Sequence, residues 1–171
     1  MKLIRNILII ALALLVQSTV FGRVSILGIK PDLAMLVLIL LVSISTQVEC
    51  IMYGFIIGFL QDVYTPEFLG ANAFVMSLMG FVLDTVKERL TVENYSVKTV
   101  VAFTACVFHD VIFLSFYTRF DFAMMKDLFI TESLFGAVFT SGLLFIILLL
   151  WEFVISGGFN YVIRELFGSR R

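Results

Sequence analysis

The sequence is poor in charge, in proline and in the residues that build metal centres. Only 15% of its 171 residues are charged, whereas a soluble domain has about 25%. It contains two prolines, two cysteines and one histidine. One histidine and two widely separated cysteines cannot form a zinc site of the usual kind. The net charge of −1 leaves no basic face for nucleic acid.

Apolar side chains make up most of the chain. Hydrophobic residues account for 61% of the sequence, and the mean hydropathy is +1.08. A soluble fold of this length leaves too much of its surface in water to hide so many apolar side chains. We therefore expect an all-α integral membrane protein that contacts the lipid bilayer.

Apolar runs separated by polar loops predict one domain of six transmembrane helices over residues 1–155. The spans lie at about 3–21, 31–47, 48–63, 71–86, 97–116 and 128–155, and a short cytoplasmic amphipathic tail follows at 156–171. The second and third runs are short for a hydrocarbon core of roughly 30 Å, which takes about 20 helical residues. A re-entrant pair is therefore the alternative for these two runs.

Lysine and arginine are distributed unevenly over the loops that six spans would create. Of the 12 basic residues, eight fall on the side of the two termini and four on the opposite side. The positive-inside rule therefore predicts that both termini lie in the cytoplasm.

Several polar side chains interrupt the apolar runs on the side that this topology places outside the cell. They are Asp32, Gln61, Asp62, Asn72, His109, Asp110 and Glu132. Charged groups at membrane depth are costly and normally face protein or water, so this set defines a candidate outer polar cavity. The alternative is that Asp32, Asn72 and Glu132 only cap helix starts. His109 and Asp110 are neighbours about 100° apart around a helix, so we do not expect them to face each other.

An ordered set of short motifs covers residues 30 to 73. In chain order they are Pro31-Asp32, Gly54-x-x-x-Gly58-x-x-Gln61-Asp62 and Leu69-Gly70-x-Asn72. In this combination the sequence resembles the bacterial rod shape-determining protein family MreD, and its size and six-helix layout agree. One departure is the connection at 64–68, where the family more often has a small turn with Gly or Ser.

The resemblance implies a non-enzymatic subunit of the cell-elongation (rod) complex in the bacterial cytoplasmic membrane, without a cofactor. Such a subunit binds MreC, a bitopic membrane protein, and connects indirectly with the actin-like MreB filament and the wall synthases. It helps regulate cell shape and peptidoglycan synthesis. Whether the subunit also forms a homodimer is left open by the sequence. Under this hypothesis the motif residues have structural or interaction roles.

The family's fold also resembles the substrate-binding (S) component of energy-coupling-factor transporters, which hold a small ligand in an outward-facing pocket. The alternative function is therefore a subunit that binds a vitamin-like molecule, with His109, Asp110 and Glu132 in the pocket. An enzyme is disfavoured, because the sequence has no zinc-protease motif, nucleophile elbow or phosphate-binding loop.

Overall fold

A computed structural model describes residues 2–19, 31–63, 68–87 and 95–155 of the chain. This part contains six helical segments and no strand, which confirms the predicted all-α class for the described residues. The elements are α1 (Lys2–Thr19), α2 (Leu33–Val42), α3 (Gln47–Asp62), α4 (Ala71–Thr85), α5 (Tyr95–Tyr117) and a last segment made of α6 (Phe122–Leu128), a π-helical turn (Phe129–Ser133) and α7 (Leu134–Ile155). The predicted tail at 156–171 and the connection at 64–67 lie outside the described residues.

Within the described ranges, two helices have both the length and the apolar composition that a membrane crossing needs. They are Ser96–Tyr117 and the last segment, over Phe122–Trp151. Three shorter apolar helices accompany them in the described part, at Ile4–Thr19, Leu33–Val42 and Ala71–Thr85. Whether these shorter helices and α3 also cross the membrane stays a prediction.

The α2 helix is shorter than the span predicted at 31–47, because residues 43–46 form a turn. With 10 residues it is about 15 Å long, half the thickness of a hydrocarbon core. The turn ends where Thr46 donates its backbone N–H to the Glu49 carboxylate at 2.8 Å, which starts α3. A Thr-x-x-Glu spacing is typical of a helix start. Eight of the ten α2 side chains are buried, so α2 forms the centre of the core.

The last segment begins at Phe122, earlier than the predicted residue 128. Asp121 caps it by accepting the backbone N–H groups of Ala123 at 3.0 Å and Met124 at 3.3 Å. Before it, Arg119 and Phe120 adopt positive φ angles of 52° and 64°, which turn the chain back from the end of α5.

The closest helix pair is α3 with α4. A Cβ atom on Gly54 would overlap the backbone of Met76, and one on Gly58 would overlap the backbone of Asn72. Gly80 of α4 lies equally close to the backbone of α3. Small residues that let backbones approach are the means by which helices associate in membranes. The Gly-x-x-x-Gly spacing therefore marks a helix contact within this chain.

Candidate functional site

Asp62, the last residue of α3, joins that helix to the start of α4. Its side chain is fully buried. Oδ2 accepts the backbone N–H groups of Gly70 at 2.9 Å and Ala73 at 3.0 Å, and Oδ1 accepts that of Asn72 at 3.0 Å. The first N–H groups of a helix have no partner within the helix, and its dipole favours negative charge there. Asp62 therefore supplies both the acceptors and the charge that the α4 start needs.

Gly70 is required for its backbone conformation. Its φ angle is +97°, while no atom lies within 4 Å of the place where a Cβ would stand. Positive φ at this value favours glycine. The Gly-x-Asn motif thus contributes to the α4 start through the backbone N–H groups that Asp62 accepts. The neighbouring Gln61 has a buried Oε1 without a hydrogen-bond partner among the described residues.

The start of α2 is held by side chains from two other helices. Asp32 is the N-cap, and its Oδ1 accepts the backbone N–H of Met35 at 3.0 Å. The N–H of Asp32 itself donates to Oγ1 of Thr140 in α7 at 2.9 Å, and the N–H of Ala34 donates to Oε1 of Gln17 in α1 at 3.1 Å. Sequence reasoning missed Gln17 and Thr140, because a local pattern does not show which distant side chain meets a helix end.

This helix start lies deep in the bundle. Thr140 stands near the middle of the last segment, and the pocket wall beside Asp32 includes Cys106, in the middle of α5. Buried backbone N–H groups need a hydrogen-bond partner, and side chains supply it here. The side chains of Asp32, Gln17 and Thr140 meet that need.

A cavity of about 370 Å³ opens beside the α2 start, between α5, the π turn and α7. We call it the acidic pocket, because Asp32, Asp110 and Glu132 contribute carboxylates to its wall. The other lining residues are Cys106, Phe113, Leu114, Ser133, Gly136, Ala137 and Thr140. The π turn places Glu132 and Ser133 at the pocket. Neither lysine nor arginine lines it among the described residues.

The structure therefore divides the predicted polar set in two. Asp32, Asp110 and Glu132 share the acidic pocket, whereas Asp62 and Asn72 belong to the α3–α4 joint. The expectation that Glu132 caps a helix start is wrong, since it lies inside the continuous last segment.

His109 precedes Asp110, whose side chain lines the acidic pocket. His109 is 5% exposed, and its ring stacks on Phe113 with 5° between the ring planes. Its Nδ1 lies 3.0 Å from Oδ1 of Asp110, so the expectation that these neighbours do not face each other is wrong. The 100° between adjacent residues separates their Cβ atoms, but the side chains bend towards each other. His109 Nε2 is buried without a partner among the described residues.

A second feature is a pair of apolar cavities on the α4–α5 seam, which we call the α4–α5 groove. One cavity of about 470 Å³ lies at the Gly70 end and is lined by Phe74 and Phe116. Another of about 310 Å³ lies at the opposite end and is lined by Val86 and Val100. Residues 75–78 of α4 line neither cavity.

The described residues hold no group of three or more histidine, cysteine or acidic side chains placed to bind a metal ion. Both cysteines, Cys50 and Cys106, are buried and free. Several of the predicted polar side chains complete helix ends or line the acidic pocket.

The sequence profile of the rod shape-determining protein MreD family matches residues 2–167, nearly the whole chain. The chain belongs to the MreD family. It therefore has a role in determining rod shape, as a protein of the bacterial inner membrane. MreD is a family of shape-determining proteins and not a known enzyme family.

No curated protein and no solved structure matches the chain. The resemblance to the S component of energy-coupling-factor transporters therefore stays a prediction about the fold. The alternative function, binding of a vitamin-like molecule for a transporter, receives no support from the comparisons.

Proposed function

We propose that this protein is a non-enzymatic membrane subunit of the cell-elongation complex that binds an MreC-like bitopic membrane protein and helps regulate peptidoglycan synthesis. The family match over residues 2–167 carries the proposal. The arrangement of the polar residues supports it, because Asp62 and Thr140 are used to hold helix ends in place. Through this partner, the protein connects indirectly with MreB-like filaments and the wall synthases.

The distribution of lysine and arginine gives the orientation of the proposed subunit in the membrane. With six spans, both termini lie in the cytoplasm, and Asp62 and the acidic pocket lie towards the outer face. Lys87, at the other end of α4, donates a hydrogen bond to the carbonyl oxygen of Ser45 and closes that end of the bundle against the α2–α3 turn.

We place the partner's transmembrane helix in the α4–α5 groove. Its two cavities lie at the Gly70 and Val86 ends of α4, and the helix between these residues is about 24 Å long, most of a hydrocarbon core of about 30 Å. Its walls are almost entirely apolar, with half-exposed Phe74 and Phe108 along the rim. An apolar helix matches both the length and the polarity of this groove.

Photo-crosslinking in the native membrane tests the placement of the partner. A photoreactive residue replaces Val100 in the groove, which is 62% exposed, or Val138 on α7, which is 56% exposed, as the matched control. We expect a protein adduct with the bitopic partner from position 100 and only lipid adducts from position 138. Lipid adducts alone from both positions, or partner adducts from both, would contradict the groove assignment.

Depletion in a rod-shaped host tests the function itself. We expect the cells to become round, and affinity purification of the tagged protein to recover an MreC-like partner. Asp62→Leu should impair assembly or cell shape, because it removes the two oxygens that accept three N–H groups at the α4 start. Rods that stay intact on depletion, together with no such partner, would overturn the proposal.

A further inference from the structure

The single histidine of the chain stands in an unusual electrostatic position. His109 is buried in α5, and only its Nδ1 has a partner, Oδ1 of Asp110 at 3.0 Å. Nε2 has none among the described residues. A buried polar atom without a hydrogen bond is costly and calls for an explanation.

The contact with Asp110 defines the protonation state that fits this geometry. A proton on Nδ1 donates to the carboxylate, whereas a proton on Nε2 alone would leave two acceptors facing each other. The geometry therefore places a proton on Nδ1, which both the Nδ1-protonated neutral ring and the imidazolium provide. In the neutral form Nε2 carries only a lone pair.

A second carboxylate is available to His109 from a different helix. Asp32, at the start of α2, is close enough for its charge to interact with His109. It uses Oδ1 to cap Met35, and a carboxylate has capacity for further donors. Asp32 lines the same acidic pocket as Asp110, the carboxylate that contacts the imidazole.

We propose that protonation of His109 closes a latch between α5 and the start of α2. In the protonated form, Nδ1–H keeps its bond to Asp110 and Nε2–H donates to Asp32. This draws the α2 start towards α5 and narrows the acidic pocket. The imidazolium also supplies a positive charge among carboxylates in an apolar bundle, where isolated charges are costly.

The charged surroundings of His109 agree with this role. The titratable groups at the pocket are Asp32 from α2, Glu132 from the π turn, and Cys106 and Asp110 from α5 itself. In the described part, α7 has no titratable side chain up to Trp151, and α4 has only Asp84, at its opposite end beside Cys50. The neighbouring α6 contributes Lys126 and Asp127, both exposed. Among the residues that the structure describes, His109 is thus the basic group within this cluster.

The reactivity of Cys106 reports the width of the pocket, because this buried thiol lines it. In full-length protein with Cys50→Ala, Cys106 is the remaining cysteine of the chain. The labelling rate with N-ethylmaleimide is measured at pH about 5.5 and about 8, which brackets the ordinary imidazole range. The same protein with His109→Gln serves as the reference, because the Cys106 thiol itself depends on pH in the same way in both proteins.

We divide the labelling rate of Cys106 by the rate in the His109→Gln reference at the same pH. This ratio should be at least about threefold lower at pH about 5.5 than at about 8, an effect of the size that one buried hydrogen bond allows. Asp32→Asn should abolish this difference while keeping a side chain that caps α2. A relative rate that is equal at the two pH values would overturn the latch.

Nitrogen NMR of the labelled histidine gives an independent test, since one histidine yields one set of imidazole signals. At alkaline pH we expect a proton on Nδ1 and a bare Nε2, and at acid pH protons on both nitrogens. An Nε2-protonated neutral ring, or a bare Nε2 at both pH values, would refute the proposal.

Discussion

Oδ2 of Asp62 lies 2.9 Å from the backbone nitrogen of Gly70, across the connection between α3 and α4. The same carboxylate also accepts the N–H groups of Asn72 and Ala73, and it is fully buried. A charge in such a place is stable because it meets three donors and the positive end of a helix dipole. One side chain thus determines how the two closest helices of the bundle are joined.

The start of α2 uses the same principle with neutral partners. Gln17 from α1 and Thr140 from α7 accept N–H groups of the first turn of α2. Because α2 starts inside the bundle, these side chains replace the water that would solvate an exposed helix end. Three helices are thereby fixed around one helix start.

The approach of α3 to α4 predicts a strong effect of one added methyl group. Gly58→Ala should lower the free energy of unfolding by about 1–3 kcal/mol, because its Cβ would overlap the backbone of Asn72. The measurement is unfolding of the purified protein in mixed micelles.

The control is Gly142→Ala in α7, where no atom stands within 4 Å of the added Cβ. Alanine favours helix there, so stability should stay equal or rise by up to about 1 kcal/mol. Equal stability of the two variants would show that α3 and α4 are not in close contact.

Thr140→Val should destabilise the bundle by leaving the N–H of Asp32 without its acceptor. A stranded buried donor costs about 1–3 kcal/mol. Thr104→Val is the matched control, since Thr104 is exposed and its hydroxyl donates to Val100 of its own helix. The control should change stability by less than about 0.5 kcal/mol. Thermal unfolding in detergent compares the two, and equal shifts would argue against the buried α2 start.

A buried contact between α1 and α3 should appear as coupling between two substitutions. Asn6 Nδ2 donates to the Tyr53 hydroxyl at 3.0 Å, and both side chains are buried. Tyr53→Phe leaves the Asn6 amide without its acceptor and should lower the free energy of unfolding by about 1–3 kcal/mol. In a protein that also carries Asn6→Leu, the same substitution should lower it clearly less, and a double-mutant cycle measures the difference. An equal cost in both backgrounds would mean that the pair does not interact.

The all-α class could be predicted from the sequence. The hydrophobic runs predict it, and the structure confirms it for the described residues. The Gly54-x-x-x-Gly58 spacing permits a close helix approach, which the structure shows with α4. The break between α2 and α3 could also have been placed from the sequence, since Thr46-x-x-Glu49 is a helix-start signal.

The roles of the polar residues could not be predicted to the same degree. Asp62 and Asp110 look alike in sequence, as acidic residues near apolar runs. Asp62 is surrounded by backbone donors, whereas Asp110 lines a pocket beside His109. That difference depends on how helices distant in sequence meet. The contribution of Thr140 to the α2 start depends on the same packing.

The most direct test of this account compares Asp62 with a carboxylate that caps an exposed helix start. Asp121, which is exposed, accepts two N–H groups at the start of α6. Asp62→Asn should lower the free energy of unfolding by at least about 3 kcal/mol, because its amide cannot accept all three buried N–H groups. Asp121→Asn should change it by less than about 0.5 kcal/mol, since asparagine caps helices as well as aspartate. Equal and small effects at the two positions would contradict the structural role of Asp62.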